Sequence, residues 1–138
     1  MVGFVYKLRT THITNMIFRR KSSKEEAKKL EESHLKNLMV LAKADGHLSE
    51  IELHLLEAIA HRIGLTKEDI STIEQQLDKI EFVLPEKYDD RLEQFEDLLT
   101  LMAIDGNIDP EEEEICRKFG KHYELMEATI EKMIDKHR

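Results

Sequence analysis

Two short stretches of the chain carry carboxylates at the same spacing. LAKADGHLSEIE, residues 41–52, sets Asp45 seven positions before Glu52; LMAIDGNIDPEEEE, residues 101–114, sets Asp105 seven before Glu112. Four carboxylates make an all-oxygen donor set. Brought together, they would bind a hard divalent cation, calcium, magnesium or manganese in preference to zinc. A standard EF-hand is excluded in both stretches. In its register the first two ligand positions fall on Leu41 and Lys43, or on Leu101 and Ala103, and none of these donates a carboxylate. A structural role competes with the metal reading. Each Glu stands three residues after Ser49 or Asp109, where it closes a capping box, and each Asp can bond amides of its own turn. With no metal, no cofactor is expected at all.

Other chemistry has weaker support. His54, Glu57 and His61 share one face of a helix at a spacing that could hold zinc or nickel, but that face lies opposite the apolar arc and reads as solvated. His34 and His47 are isolated. Cys116 is the single cysteine, so the chain has no internal disulfide and no cysteine-built zinc site; it reads as a small core residue. There is no serine nucleophile motif, no phosphate-cradling glycine loop and no zincin motif. No enzymatic activity is expected, and a metal-dependent hydrolase is the least favoured reading.

The elements that must position the carboxylates are helices. Ser23 opens S-K-E-E, a capping box for a helix over about 24–44, with Ala27, Leu30, Leu38, Leu41 and Ala42 inward. Ser49 caps a second helix, about 50–63, that ends at Gly64. Thr66 caps a third, about 67–80. Pro85 suits the first turn of a fourth, about 86–104, with Tyr88, Leu92, Phe95, Leu98, Leu99 and Met102 on one side. Asp109 and Pro110 start a fifth, in which Gly120 weakens the pattern. A sixth spans about 123–136. EFVLP could be extended, and no stretch reads as a confident strand. At 100° per residue, Ile51, Leu55, Leu56, Ile59 and Ile63 form the arc of the second helix, with Glu52 in its middle. Ile115, Cys116, Phe119 and Tyr123 do the same for the fifth, with Glu112 central and Glu111, Glu113 and Glu114 turned away. Asp45 and Asp105 each follow a stripe leucine by four and are expected to point inward.

The helices repeat. An offset of sixty takes Leu38 to Leu98, Leu41 to Leu101, Asp45 to Asp105, Gly46 to Gly106, Leu48 to Ile108, Glu52 to Glu112, Ile59 to Phe119 and Leu65 to Leu125. The fold expected is all-α, a bundle of about six helices made from two pseudo-symmetric helical hairpin repeats. Their matching acids would meet at a common seam.

ADGHLSEIELHLLEAIAHRIGL and IDGNIDPEEEEICRKFGKHYEL, with helical segments before and after each, resemble the TerB-like tellurite-resistance family over about residues 25–136. The resemblance implies an all-helical fold with internal pseudo-symmetry and a cytoplasmic, bacterial setting. It also implies a part in stress responses to tellurite and other oxyanions, and metal association at acidic positions that map onto Asp45, Glu52, Asp105 and Glu112. The basic start and the proline before the fourth helix depart from that pattern.

Length and charge bound the rest. The 138 residues suit one helical domain, residues 23–138, behind a basic N-terminal arm, residues 1–22. The formal net charge of -8 argues against a nucleic-acid partner. Residues 1–43 hold ten Lys/Arg against four Glu, whereas the remainder holds eleven against twenty-five acids. The arm is therefore expected to be solvated, or to touch a partner or an anionic membrane surface. No apolar run reaches the ~20 residues of a membrane span, and the opening residues lack the pattern of a secretory signal. Met16 begins MIFRRKSSKEE, so residues 1–15 are expected to be a loosely held extension. Two readings of function follow. One is a non-enzymatic helical module that binds a divalent cation between its repeats. The other is a metal-free interaction scaffold, whose acidic face and basic arm meet an unidentified protein partner or a membrane surface.

Overall fold

A computed structural model describes residues 24–44 and 48–138. The arm over residues 1–22, the Ser23 cap and the Asp45-Gly46 turn with His47 lie outside the described residues. Those described form six α-helices and no strand: α1 over 24–43, α2 Glu50–Arg62, α3 Lys67–Gln75, α4 Tyr88–Ala103, α5 Pro110–His122 and α6 Glu127–Lys136. A 3-10 turn, Leu77–Lys79, follows α3. No described helix is long and apolar enough to cross a membrane.

Local chemistry sets three of the starts. Ser49, Thr66 and Asp109 are extended N-caps whose side chains accept the N3 amide, and each N3 carboxylate takes the N-cap amide in return. Each box satisfies two amides that the first helical turn leaves without partners. Pro110 sits at the first helical position, where its missing N–H costs nothing. At the other end of α2, Gly64 adopts φ +88 and the Leu65 amide donates to the Ala60 carbonyl at 2.8 Å, a Schellman closure.

Three boundaries differ from the sequence expectation. Helix α4 begins at Tyr88, and Pro85 is a buried residue ahead of it. The Arg91 guanidinium draws the Pro85 carbonyl at 2.6 Å and the Glu86 carbonyl at 3.5 Å, so these two groups serve Arg91 instead of a first helical turn. Helix α3 stops at Gln75 and tightens to 3-10 geometry; just beyond, the Ile80 carbonyl accepts the Lys36 ammonium. Helix α6 begins at Glu127, because Glu124 takes φ +56 and the Leu125 amide closes on the Gly120 carbonyl at 3.1 Å. That is the closure at Gly64, made sixty positions later without a glycine.

The core is aliphatic and centres on α4, which packs against α2, α5 and α6. Phe95, Leu98, Leu99 and Leu101 of α4 are buried with Leu35, Leu38 and Leu41 of α1, Leu56 and Ile59 of α2, and Ile130 and Ile134 of α6. Fully burying a side chain of this size stabilises by about 1.5–3 kcal/mol. Gly120 does not weaken α5. It is buried there, and a Cβ on it would stand 2.7 Å from Cγ1 and Cδ1 of Ile130, so its bare backbone lets α6 come close. Ala27 is exposed, since the first turns of α1, residues 24–29, extend beyond the packed core, and Tyr88 and Ile51 are also exposed. The element ends themselves recur: α1 and α4 stop sixty positions apart, α2 and α5 both start and stop so, and α3 and α6 start so.

Candidate functional site

The carboxylates picked out by spacing are positioned by helix ends. Glu52 lies in the first turn of α2 and is 9 % exposed, so its place in the middle of the apolar arc does turn it inward. Its carboxylate Oε1 accepts the Ser49 amide at 3.4 Å and the Ser49 hydroxyl at 2.8 Å. Glu112 is half-buried in the equivalent turn of α5, and its Oε1 accepts the Asp109 amide at 3.1 Å. Both glutamates therefore have the structural role of closing a capping box, and in each case the carboxylate also faces the positive end of its helix.

A cleft of about 420 Å³ joins them. Glu52, Asp105 and Glu112 all line it, with Asp109 and Glu111 beside them. Its walls come from the ends of α1 and α4, the first turns of α2 and α5, and the 105–107 turn. Leu41, Leu101, Met102 and Ile115 contribute apolar surface, and among the described residues no Lys, Arg or His lines it. Asp105 is exposed, contrary to the inward placement expected of it, because α4 ends at Ala103 and the chain has already left the helix. Asp45 lies outside the described residues. Among the described residues, no three His, Cys, Asp or Glu side chains converge closely enough to chelate a metal. The arrangement is thus an acid-lined cleft whose carboxylates surround a volume. Among the described residues its lining concentrates negative charge without a counter-cation, which attracts cations.

The α5 glutamates divide less simply than their helical angles suggested. Glu111 is exposed yet lines the cleft, and Glu114 is exposed. Glu113 is half-buried by Arg138 at 2.8 Å and Arg117 at 3.2 Å, and these cations, Arg138 foremost, hold its carboxyl below the usual range. Arg117 also reaches Glu131 of α6 at 2.6 Å, tying α5 to α6. His54 and His61 are exposed, as expected for a solvated face.

No known protein family, characterised protein or solved structure matches this chain.

A second polar group was not legible as a site in the sequence. His34, Asn37, Gln94 and Asp97 are all buried. The His34 Nε2–H donates to Asp97 Oδ2 at 2.7 Å, and Arg62 makes a fork on the same carboxylate, with Nη1 to Oδ1 at 3.1 Å and Nη2 to Oδ2. Burial alone would raise the Asp97 pKa. The bonds from His34 and Arg62 outweigh it and hold the carboxyl below its ordinary value. Asn37 donates a long 3.5 Å bond to the hydroxyl of Tyr123, whose pKa burial pushes up to about 12. The sequence did carry a signal. His34 and Gln94, and Asn37 and Asp97, stand sixty positions apart, so these four buried polar residues fall in two pairs at that spacing.

Proposed function

We propose that the protein is a non-enzymatic, TerB-like helical module whose two repeats, related by pseudo-symmetry, bind a divalent cation in the cleft at their junctions. The observation that carries the proposal is that Glu52, Asp105 and Glu112, from both halves of the chain, line one cavity together with Asp109 and Glu111. Asp45, the fourth member by spacing, comes directly after Ala44 in the sequence and lies outside the described residues. The donor set is oxygen throughout, which suits calcium, magnesium or manganese rather than zinc. Carboxylates spread round a cleft of this size suit a cation that keeps part of its water shell, as magnesium does. In a cytoplasmic, bacterial setting such a module would serve a stress response, including one to tellurite or related oxyanions.

Calorimetric titration of the full chain with Ca²⁺, Mg²⁺, Mn²⁺ and Zn²⁺ tests this. Saturable heats with the first three, abolished by Glu52→Gln, Asp105→Asn and Glu112→Gln combined, support it. No saturable heat with any ion defeats it.

The apolar floor favours a second reading, in which Met102 and Ile115, half-buried in the cleft, receive an apolar residue of a basic protein segment while the rim meets its cations. Here the module is a metal-free scaffold, and the basic arm over residues 1–22 supplies a further contact to partners or to an anionic membrane. Binding of a basic peptide that persists in chelator and weakens with salt would favour the scaffold.

A further inference from the structure

The acid-lined cleft is larger than one ion needs. A magnesium ion with six waters, at ~30 Å³ each, fills roughly 180 Å³. The cleft holds about 420 Å³, a volume in the range of small-ligand pockets. Part of its wall is also apolar. Met102 and Ile115 pack against the core only partly buried, and they line the cleft beside Leu41 and Leu101. A bare cation makes no use of that surface. An occupant with both an apolar side chain and positive charge uses the whole lining.

Charge complementarity points to the chain's own arm. Residues 1–22 lie outside the described residues and hold Lys7, Arg9, Arg19, Arg20 and Lys21 with no Asp or Glu. Facing them would be Glu52, Asp105, Asp109, Glu111 and Glu112 of the cleft, with no Lys, Arg or His among the described residues of its lining. Reach selects the segment. The arm precedes residue 24, where the described part of α1 starts, and the cleft begins at Leu41 of the same helix. At a rise of 1.5 Å per residue these two points lie about 26 Å apart. At ~3.5 Å per extended residue, Arg19 stands at most about 18 Å from residue 24, short of the cleft, whereas Arg9 commands about 50 Å.

The basic residues able to reach are therefore Lys7 and Arg9. They stand in FVYKLR, residues 4–9, where Phe4, Tyr6 and Leu8 alternate with Val5, Lys7 and Arg9. Bound in extended form, the segment would turn Phe4, Tyr6 and Leu8 to one face and both cations to the other. Long Lys and Arg stems let the charge lie over the rim while the apolar face enters. A tether of this length also presents the segment at an effective concentration on the order of mM, which a dilute free peptide does not match.

We propose that residues 4–9 fold back to occupy the acid-lined cleft of their own chain, with Tyr6 and its apolar neighbours against Met102 and Ile115, and Lys7 and Arg9 against the carboxylates. This placement rests on the cleft's proposed recruitment of positive charge, and it regulates that recruitment, since a divalent cation enters by displacing the arm.

Nuclear Overhauser contacts in the isotopically labelled full chain test the placement. The rings of Phe4 or Tyr6 should show contacts to the methyls of Met102 and Ile115. Lys7→Gln with Arg9→Gln should reduce them at least fivefold. Arg19→Gln with Arg20→Gln removes equal charge from residues that fall short of the cleft, and should keep them. Amide shifts of α4 to α6 report the folding of each variant. Calorimetry with Ca²⁺ separates the arm from the ion: Lys7→Gln with Arg9→Gln should bind Ca²⁺ at least tenfold more tightly than the wild type. Absence of the contacts overturns the proposal, and saturable Ca²⁺ heats in the same chain would then leave the cation site standing. Contacts in a chain that takes up no cation, with or without Lys7 and Arg9, support the docked arm and defeat the cation site instead. Equal loss of contacts in both double variants, equal Ca²⁺ affinity in the wild type and Lys7→Gln with Arg9→Gln, or contacts found only between differently labelled copies would each overturn the proposal.

Discussion

Replacing Asp97 by Asn should expose how much the bundle depends on its buried ionic seam. Asp97 is 7 % exposed and accepts from His34 and twice from Arg62. Removing one partner of a buried ion pair costs about 3–5 kcal/mol when the other is left without solvent. Arg62 is about half-exposed, its side chain at 46 %, so water recovers part of that loss, and Asn retains one acceptor oxygen. The expected destabilisation is therefore about 2–3 kcal/mol, or a fall in Tm of roughly 8–12 °C for a domain of this size. The pH dependence gives a sharper check. The folded-state pKa of Asp97 lies below its unfolded value, so its contribution is complete above the ordinary carboxylate range and is lost as pH falls through the depressed folded pKa. The wild-type advantage over Asp97→Asn, measured by urea unfolding, should be full near neutrality and close in acid below about pH 4. Comparing the two proteins at each pH cancels the other depressed carboxyls, such as Glu113 and Glu131, which both share. A neutral-pH difference under about 0.5 kcal/mol, or one that persists undiminished in acid, would refute the reasoning.

Two further outcomes follow from packing. Gly120→Ala gains about 1 kcal/mol in helix propensity but forces a Cβ to 2.7 Å from Ile130, an overpacking cost of ~1–3 kcal/mol, so it should destabilise in the wild type. In an Ile130→Ala background the same substitution should be neutral or stabilising; equal effects in both backgrounds, by chemical denaturation, would contradict the close approach. Cys116 is buried, with its thiol pushed up to about 12 chiefly by desolvation. Its labelling by a thiol reagent at pH 8 should be at least a hundredfold slower in the folded chain than in urea, and a comparable rate would show that the α5 core is open.

Much of the helical layout was legible because caps and stripes are local. Ser49, Thr66, Asp109 and Pro110 marked three helix starts that the structure repeats, and Gly64 marked an end. The errors arose where distant groups competed for backbone. Nothing local says that Arg91 will claim the carbonyls of Pro85 and Glu86, or that Lys36 of α1 will reach Ile80. The turn at Glu124 could have been inferred, since Gly64 stands sixty positions earlier, but glutamate at positive φ runs against residue preference. For the acidic cleft, helical angles placed Glu52 correctly, whereas the position of Asp105 depended on where α4 ended. The His34–Asp97–Arg62 group was harder to see: its members lie on three helices, and the sixty-residue offset matches His34 with Gln94 and Asn37 with Asp97 without saying that His34 and Arg62 meet on Asp97.

The most direct test of shared work by the two halves of the chain is paramagnetic broadening by substoichiometric Mn²⁺ in amide NMR spectra. If one cation sits in the common cleft, amides of residues 49–53 and 105–112 should broaden together and recover together on adding chelator. Broadening confined to one of these segments, or spread evenly over the acidic surface, would contradict a site built jointly by both repeats.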